Sequence, residues 1–230
     1  MAKTAILIDG GFYRKRSYAL WGDKSPADRA TELMHYAFRH IDKHDGPFVR
    51  ELYRIFYYDC PPSDANVYNP RTGKSVSLKR DPTYAWANEF FDCLRRQRKL
   101  ALRMGRISAP TVGYDIDKKA LKKLCRGDIS VEDLTDKDFH PTWRQKGVDM
   151  KLGLDISSLA YEGIVNQIIL VAGDSDFVPA AKVARRKGID FILDPMGASV
   201  SPDLFENIDG MESFIRHDPL RKHKHEDKLQ

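Results

Sequence analysis

Four aspartates sit where acids can do chemistry. Asp9 ends the apolar run Ile6-Leu7-Ile8 and precedes Gly10-Gly11. Asp174 and Asp176 stand two apart in Ala172-Gly173-Asp174-Ser175-Asp176-Phe177, just after a second apolar run. Asp149 lies in Lys146-Gly147-Val148-Asp149. Carboxylates crowded into a small volume repel one another and raise each other's pKa, so a cation belongs with them. Oxygen donors without His or Cys suit Mg²⁺ or Mn²⁺ rather than zinc. Such an ion polarises a phosphodiester and activates water, which points to metal-assisted hydrolysis of a phosphate ester. Each acid alone has a plainer use. Asp9, Asp174 or Asp176 can cap a helix, and Asp149 in a first turn suits the helix dipole. Only their joint placement favours chemistry. Asp155 falls six residues after Asp149, about 240° around a helix, and is a second-tier ligand or a salt-bridge partner. Asp59, before Pro61-Pro62, and Asp194, before Pro195, read as turn residues.

The elements that must position these acids alternate. Residues 3–9 read as a buried strand broken by Gly10-Gly11, followed by a helix over 12–20. Ser25-Pro26 caps a helix running to about 43. A strand over 50–58, a loop over 61–77, a helix from Asp81-Pro82 and a strand over 99–107 follow. Then come a helix over 148–160, a strand over 164–172, a helix over 176–187 ended by Gly188, and a strand over 189–193. Ser201-Pro202 opens a short helix to about 208, and 213–215 reads as a small edge strand. Strands alternating with helices predict an α/β fold of three layers, a mainly parallel sheet covered on both faces. Sites in such sheets form beyond the carboxyl ends of the strands. The acids converge if the strand before Asp174 neighbours the first strand. Residues 1–217 read as one domain with a polar, charged insertion at about 111–145. Residues 218–230 read as a disordered basic tail.

Composition bounds the function classes. No run approaches the ~18 apolar residues a membrane span needs, and the N-terminal run is too short for a secretory signal. Cys60, Cys93 and Cys125 form no C-x-x-C pair, so neither a zinc ribbon nor a disulfide framework is supported; reduced thiols in a cytoplasmic protein are expected. The net charge of +5 is a weak pull toward a polyanion. Arg14-Lys15-Arg16 follows the Asp9 loop and is a candidate for phosphate contact, with Tyr13 and Tyr18 beside it as stacking faces or core residues. Arg95-Arg96, Arg98-Lys99, Arg103 and Arg185-Arg186-Lys187 read first as solvated helix ends. Lys118-Lys119 and Lys122-Lys123 read as a solvated face or a second contact surface. Gly73-Lys74-Ser75 is no P-loop, because Tyr68 stands where the first glycine is needed. A dehalogenase-type phosphatase would need an acid where Gly11 stands, and no Ser–His–Asp arrangement is readable.

Taken together, Ile6-Leu7-Ile8-Asp9-Gly10-Gly11-Phe12, Tyr57-Tyr58-Asp59, Lys146-Gly147-Val148-Asp149-Met150 and Leu170 through Pro179 resemble the NYN domain of the PIN-like nuclease superfamily, in its LabA-like branch. The resemblance spans about 4–60 and 145–195. It implies a PIN-like, Rossmann-like fold, an acidic pocket, Mg²⁺ or Mn²⁺, and cleavage of RNA. Carried over by position, Asp9, Asp149, Asp174 and Asp176 are the catalytic metal-site acids. Asp155 matches a recurrent acidic position, and Ser175 matches a small polar residue able to contact phosphate. Many relatives carry Asn shortly after the first glycine pair, where this chain has Phe12 and Tyr13. The expectation is a metal-dependent endoribonuclease with RNA as partner, DNA and homo-oligomers remaining open and no membrane. The alternative is a catalytically silent module that binds nucleic acid or a protein in a regulatory complex.

Overall fold

The N-terminal apolar run becomes the centre of a parallel sheet, and its neighbours decide where a site can form. The computed structural model describes residues 1–42, 49–108, 112–142 and 145–220. The tail expected to be disordered lies, from 221 on, outside the described residues. In chain order the elements are β1 (Ala2–Asp9), α1 (Gly10–Trp21), α2 (Pro26–Ile41), β2 (Arg50–Asp59), β3 (Asn66–Tyr68), β4 (Ser75–Ser77), α3 (Pro82–Arg95), β5 (Leu100–Met104), β6 (Arg106–Ile107), β7 (Gly113–Ile116), α4 (Lys118–Arg126), β8 (Phe139–Thr142), β9 (Gln145–Lys146), α5 (Val148–Tyr161), β10 (Gln167–Val171), α6 (Val178–Arg186), β11 (Asp190–Asp194), α7 (Pro202–Glu206) and β12 (Gly210–Met211). They fall into two units. The first comprises Met1–Asp59, Glu89–Met104 and Gly147–Gln230; the second comprises Cys60–Asn88 and Gly105–Lys146.

The first unit carries a six-stranded sheet in the order β12-β11-β10-β1-β2-β5, with every pairing parallel. Ala5 through Ile8 and Ile168 through Ala172 are wholly buried, as strands covered on both faces must be. From β1 the chain builds outward through β2 to β5; from β10 it builds the other way through β11 to β12. The β1/β10 seam is therefore the topological switch point, the place where a doubly wound sheet leaves a crevice at its carboxyl edge. The registers Leu7↔Leu170 and Ile8↔Val171 bring Asp9 and the Gly173-Asp174 turn to that edge together. Among the described residues no helix is long and apolar enough to cross a membrane.

Several expectations are corrected. Gly10-Gly11 opens α1 rather than breaking the chain, because Asp9 caps it. The strand expected over 99–107 ends at Met104, and Arg106–Ile107 pairs antiparallel with β9 in the second unit. The loop expected over 61–77 contains the β3/β4 hairpin. The edge strand lies at Gly210–Met211 rather than 213–215, parallel to β11. Ser213 instead turns its hydroxyl onto Asp194 at 2.6 Å.

Asp194 is more than the turn residue its Pro195 neighbour suggests. It is fully buried and accepts from the Tyr36 hydroxyl at 2.5 Å, the Met196 N–H at 2.8 Å and Ser213, with His40 Nε2 at 2.8 Å. Burial disfavours a charged His40 ring, but the bond to Asp194 and the Glu212 carboxylate 4.0 Å from Nδ1 outweigh it and raise the pKa above 6.5. A raised folded-state pKa stabilises the fold fully below the unfolded value of 6.5 and loses that contribution as pH climbs through the folded value. Chemical denaturation from about pH 5 to about pH 9 is expected to show stability falling with pH above 6.5, and His40→Gln to flatten that slope. Asp194→Ala strands buried donors and is expected to cost about 3–5 kcal/mol.

Candidate active site

Asp9 gains its position from two facts of local structure. It is the last residue of β1, and its Oδ1 accepts from the Phe12 N–H at 3.2 Å, capping α1. Capping and participation in an acid cluster are thus not alternatives. Burial is the largest influence on Asp9; the Phe12 bond opposes it, and the charges of Asp149 and Asp59 add to it. The net result lifts the carboxyl to about 6 from 3.8.

Asp149 stands exposed in the first turn of α5, behind Gly147 at φ 82°. Its pKa is also raised, by burial first and then by the charges of Asp174 and Asp176. Asp174 caps the short 3₁₀ turn Ser175–Phe177, its Oδ1 accepting from the Asp176 N–H at 3.0 Å. Asp174, Ser175 and Asp176 are all exposed. The four acids therefore form an electrostatic chain, Asp9 to Asp149 to the Asp174/Asp176 turn.

A fifth acid, Asp59, which the sequence offers as a strand-end acid and within the resemblance but reads first as a turn residue, extends the chain inward. It ends β2, one residue beyond the Asp9↔Tyr58 register, and is 1% exposed. Arg14 Nη2 pairs with it at 3.0 Å, and the Tyr57 hydroxyl lies 3.1 Å from its Oδ2 and 3.3 Å from the Gly10 carbonyl. The usable signal was an acid at the end of the strand expected beside the first.

Glycine is required where these loops meet. A Cβ on Gly10 would sit 2.6 Å from both Asp59 Oδ2 and the Tyr57 ring. A Cβ on Gly173 would sit 2.6 Å from the Phe12 ring. Phe12 thus holds two positions at once: its N–H anchors Asp9 and its ring lies against the Asp174 turn.

The other expected site residues divide. Tyr13 is wholly buried, with its hydroxyl donating to Glu32 at 2.8 Å; it offers no face to a base and belongs to the core. Arg14 is held by Asp59, and Arg16 donates to the Met196 carbonyl at 2.7 Å. Lys15 is exposed, as is Tyr18. Asp155 accepts from the Tyr58 hydroxyl at 2.8 Å and Arg103 Nε at 2.9 Å, so its partners are not the other four acids. It lines a cleft of about 310 Å³ with Tyr53, Phe56 and Ser158.

The donor chemistry, carboxylate oxygens with no His or Cys among them, fits a hard divalent cation. No three His, Cys, Asp or Glu side chains are set around one point among the described residues, so the acids form an open cluster rather than a closed cage.

The contrast between two adjacent glycines tests this packing. Gly10→Ala is expected to cost about 1–3 kcal/mol through overpacking. Gly11→Ala meets nothing closer than 3.5 Å in a helix that favours alanine, and is expected to stay within about 0.5 kcal/mol of the parent. Urea unfolding of the two variants measures both values.

The family model of the NYN domain matches residues 81–209, more than half of the chain. That span holds Asp149, Asp155, Asp174 and Asp176 and begins after Asp9 and Asp59. No curated protein and no solved structure matches the chain.

Proposed function

From the premise that this chain belongs to the NYN domain family, whose members are generally nucleases of the PIN-like superfamily, we propose that it is a metal-dependent endoribonuclease. The observation that carries the reading is the β1/β10 register, which brings Asp9 and the Asp174/Asp176 turn together at the switch point of the sheet, with Asp149 in the first turn of α5 as the fourth acid. These four would hold Mg²⁺ or Mn²⁺. When bound, the ion neutralises the acids, polarises a phosphodiester and lowers the pKa of water.

The chain's own residues supply the rest. The Phe12 N–H fixes one oxygen of Asp9, which orients the carboxyl. Arg14 and Tyr57 hold Asp59 behind it, so the cluster keeps its innermost charge compensated. Lys15 and Ser175, both exposed, would receive backbone phosphates. RNA rather than DNA is taken from the family. The three free cysteines accord with a cytoplasmic protein.

The open arrangement of the acids favours one second reading, a silent module that binds nucleic acid without cutting it. The discriminating experiment incubates the protein with end-labelled single-stranded RNA, structured RNA and matched DNA, each with Mg²⁺, Mn²⁺ or EDTA. Metal-dependent cutting of RNA is expected, reduced about 100-fold or more in Asp174→Asn. Retention of RNA without cutting, whatever the metal, would transfer the assignment to the silent module. Full cutting by Asp174→Asn would remove Asp174 from the site.

A further inference from the structure

We propose that α4, in the second unit, is a docking helix for the phosphate backbone of single-stranded RNA. In nine residues it carries Lys118, Lys119, Lys122, Lys123 and Arg126, all exposed. Among the described residues none of the five makes an ion pair.

The arrangement works against the helix itself. Lys118 and Lys122, Lys119 and Lys123, and Lys122 and Arg126 are like charges four apart, which repel across one turn. Lys118 and Lys119 also occupy the first turn, where the dipole disfavours cations, and no acid accompanies them there. Local caps hold the helix nonetheless. Asp117 accepts from the N–H groups of Lys119 at 2.8 Å and Ala120 at 3.4 Å, and Gly127 closes the other end in the left-handed conformation.

Two of the acids that follow in the chain are engaged elsewhere, while Asp128 and Asp136 are exposed and form no ion pair with the helix among the described residues. Asp133 is taken up by Ser130, and Asp138 by Thr135, although Lys123 also acts on Asp138 from a distance. The helix concentrates unpaired positive charge on itself against its own stability, which is the pattern of a surface that meets a polyanion.

The chemistry narrows the partner. A membrane-surface helix needs a broad apolar face. Here the apolar side of this nine-residue helix is Ala120, Leu121, Leu124 and Cys125, of which Ala120 is buried and Leu124 half-buried, so only Leu121, at 46% exposure, and Cys125 lie open. Five closely spaced cations beside so narrow an open apolar strip match a run of phosphates. The choice of RNA rests on the nuclease reading above; the phosphate-binding chemistry does not.

The test combines Lys118→Gln, Lys119→Gln, Lys122→Gln and Lys123→Gln in the full chain. Glutamine matches lysine in helix propensity, so α4 is expected to persist. Binding of a fluorescent single-stranded RNA is followed by anisotropy across KCl concentrations, with EDTA present. The proposal expects at least about tenfold weaker binding at low salt and a log K against log salt slope shallower by about 2 to 3. The corresponding Lys→Arg set should restore both, which a folding defect at these positions would not. Unchanged affinity and slope in the Gln set would overturn it. So would a parent protein that holds polyglutamate but not RNA.

Cleavage reports separately on the acids. A parent that cuts RNA while the Gln set keeps the parental slope leaves the nuclease and loses the docking helix. A parent that holds RNA through α4 without cutting it loses the nuclease and keeps the helix.

Discussion

The pairing of β1 with β10 is the constraint on which the rest depends. Both strands are apolar on both faces, so each must be covered above, below and on either side. Placing them together puts the reversal of strand order between them, and a reversal opens a crevice at one edge only. The acids occupy that edge because strands end there. Asp9 and the Asp174 turn owe their proximity to a register of buried isoleucines, leucines and valines, not to any attraction between carboxylates, which repel.

Three buried acids show how the protein manages charge away from solvent. Glu32 is met by Arg29, Lys24 and the Tyr13 hydroxyl, and Asp194 by a ring of donors that includes His40. Both are fully supplied and serve architecture. Asp59 is also paired, by Arg14, yet its charge still reaches Asp9. The distinction between a structural acid and a site acid is thus one of supply. Asp9 and Asp149 have raised pKa values, from burial first and then from neighbouring carboxylates, and among the described residues no cationic side chain is paired with either.

Much of this was legible in the sequence for a definite reason. Uninterrupted apolar runs such as Ile6-Leu7-Ile8 and the segment before Ala172 identify buried parallel strands, and Ser25-Pro26 and Ser201-Pro202 announce helix starts. Acids at strand ends then follow from topology. What was not legible depends on contacts between distant residues. Tyr13 has the composition of a stacking residue, and only the packing of α1 against the sheet turns it to Glu32. Asp194 reads as a turn because its partners Tyr36, His40 and Ser213 are far away in the chain. The hairpin of β3 and β4 was hidden because each strand is three residues long and polar, too short for an alternation to register.

The central strand is also the first to be made, and this has a kinetic consequence. β1 gains β2 early, but its other edge is closed by β10, 163 residues further along at Thr4 and Gln167. During synthesis that edge is an unpaired row of backbone donors and acceptors beside apolar side chains, the kind of surface on which chains associate wrongly. Contacts of such long sequence separation form slowly. The seam that completes the sheet is the same seam that assembles the acids. A nascent chain therefore has Asp9 and Asp59 made long before Asp174, and the acids meet only when its most vulnerable edge has closed.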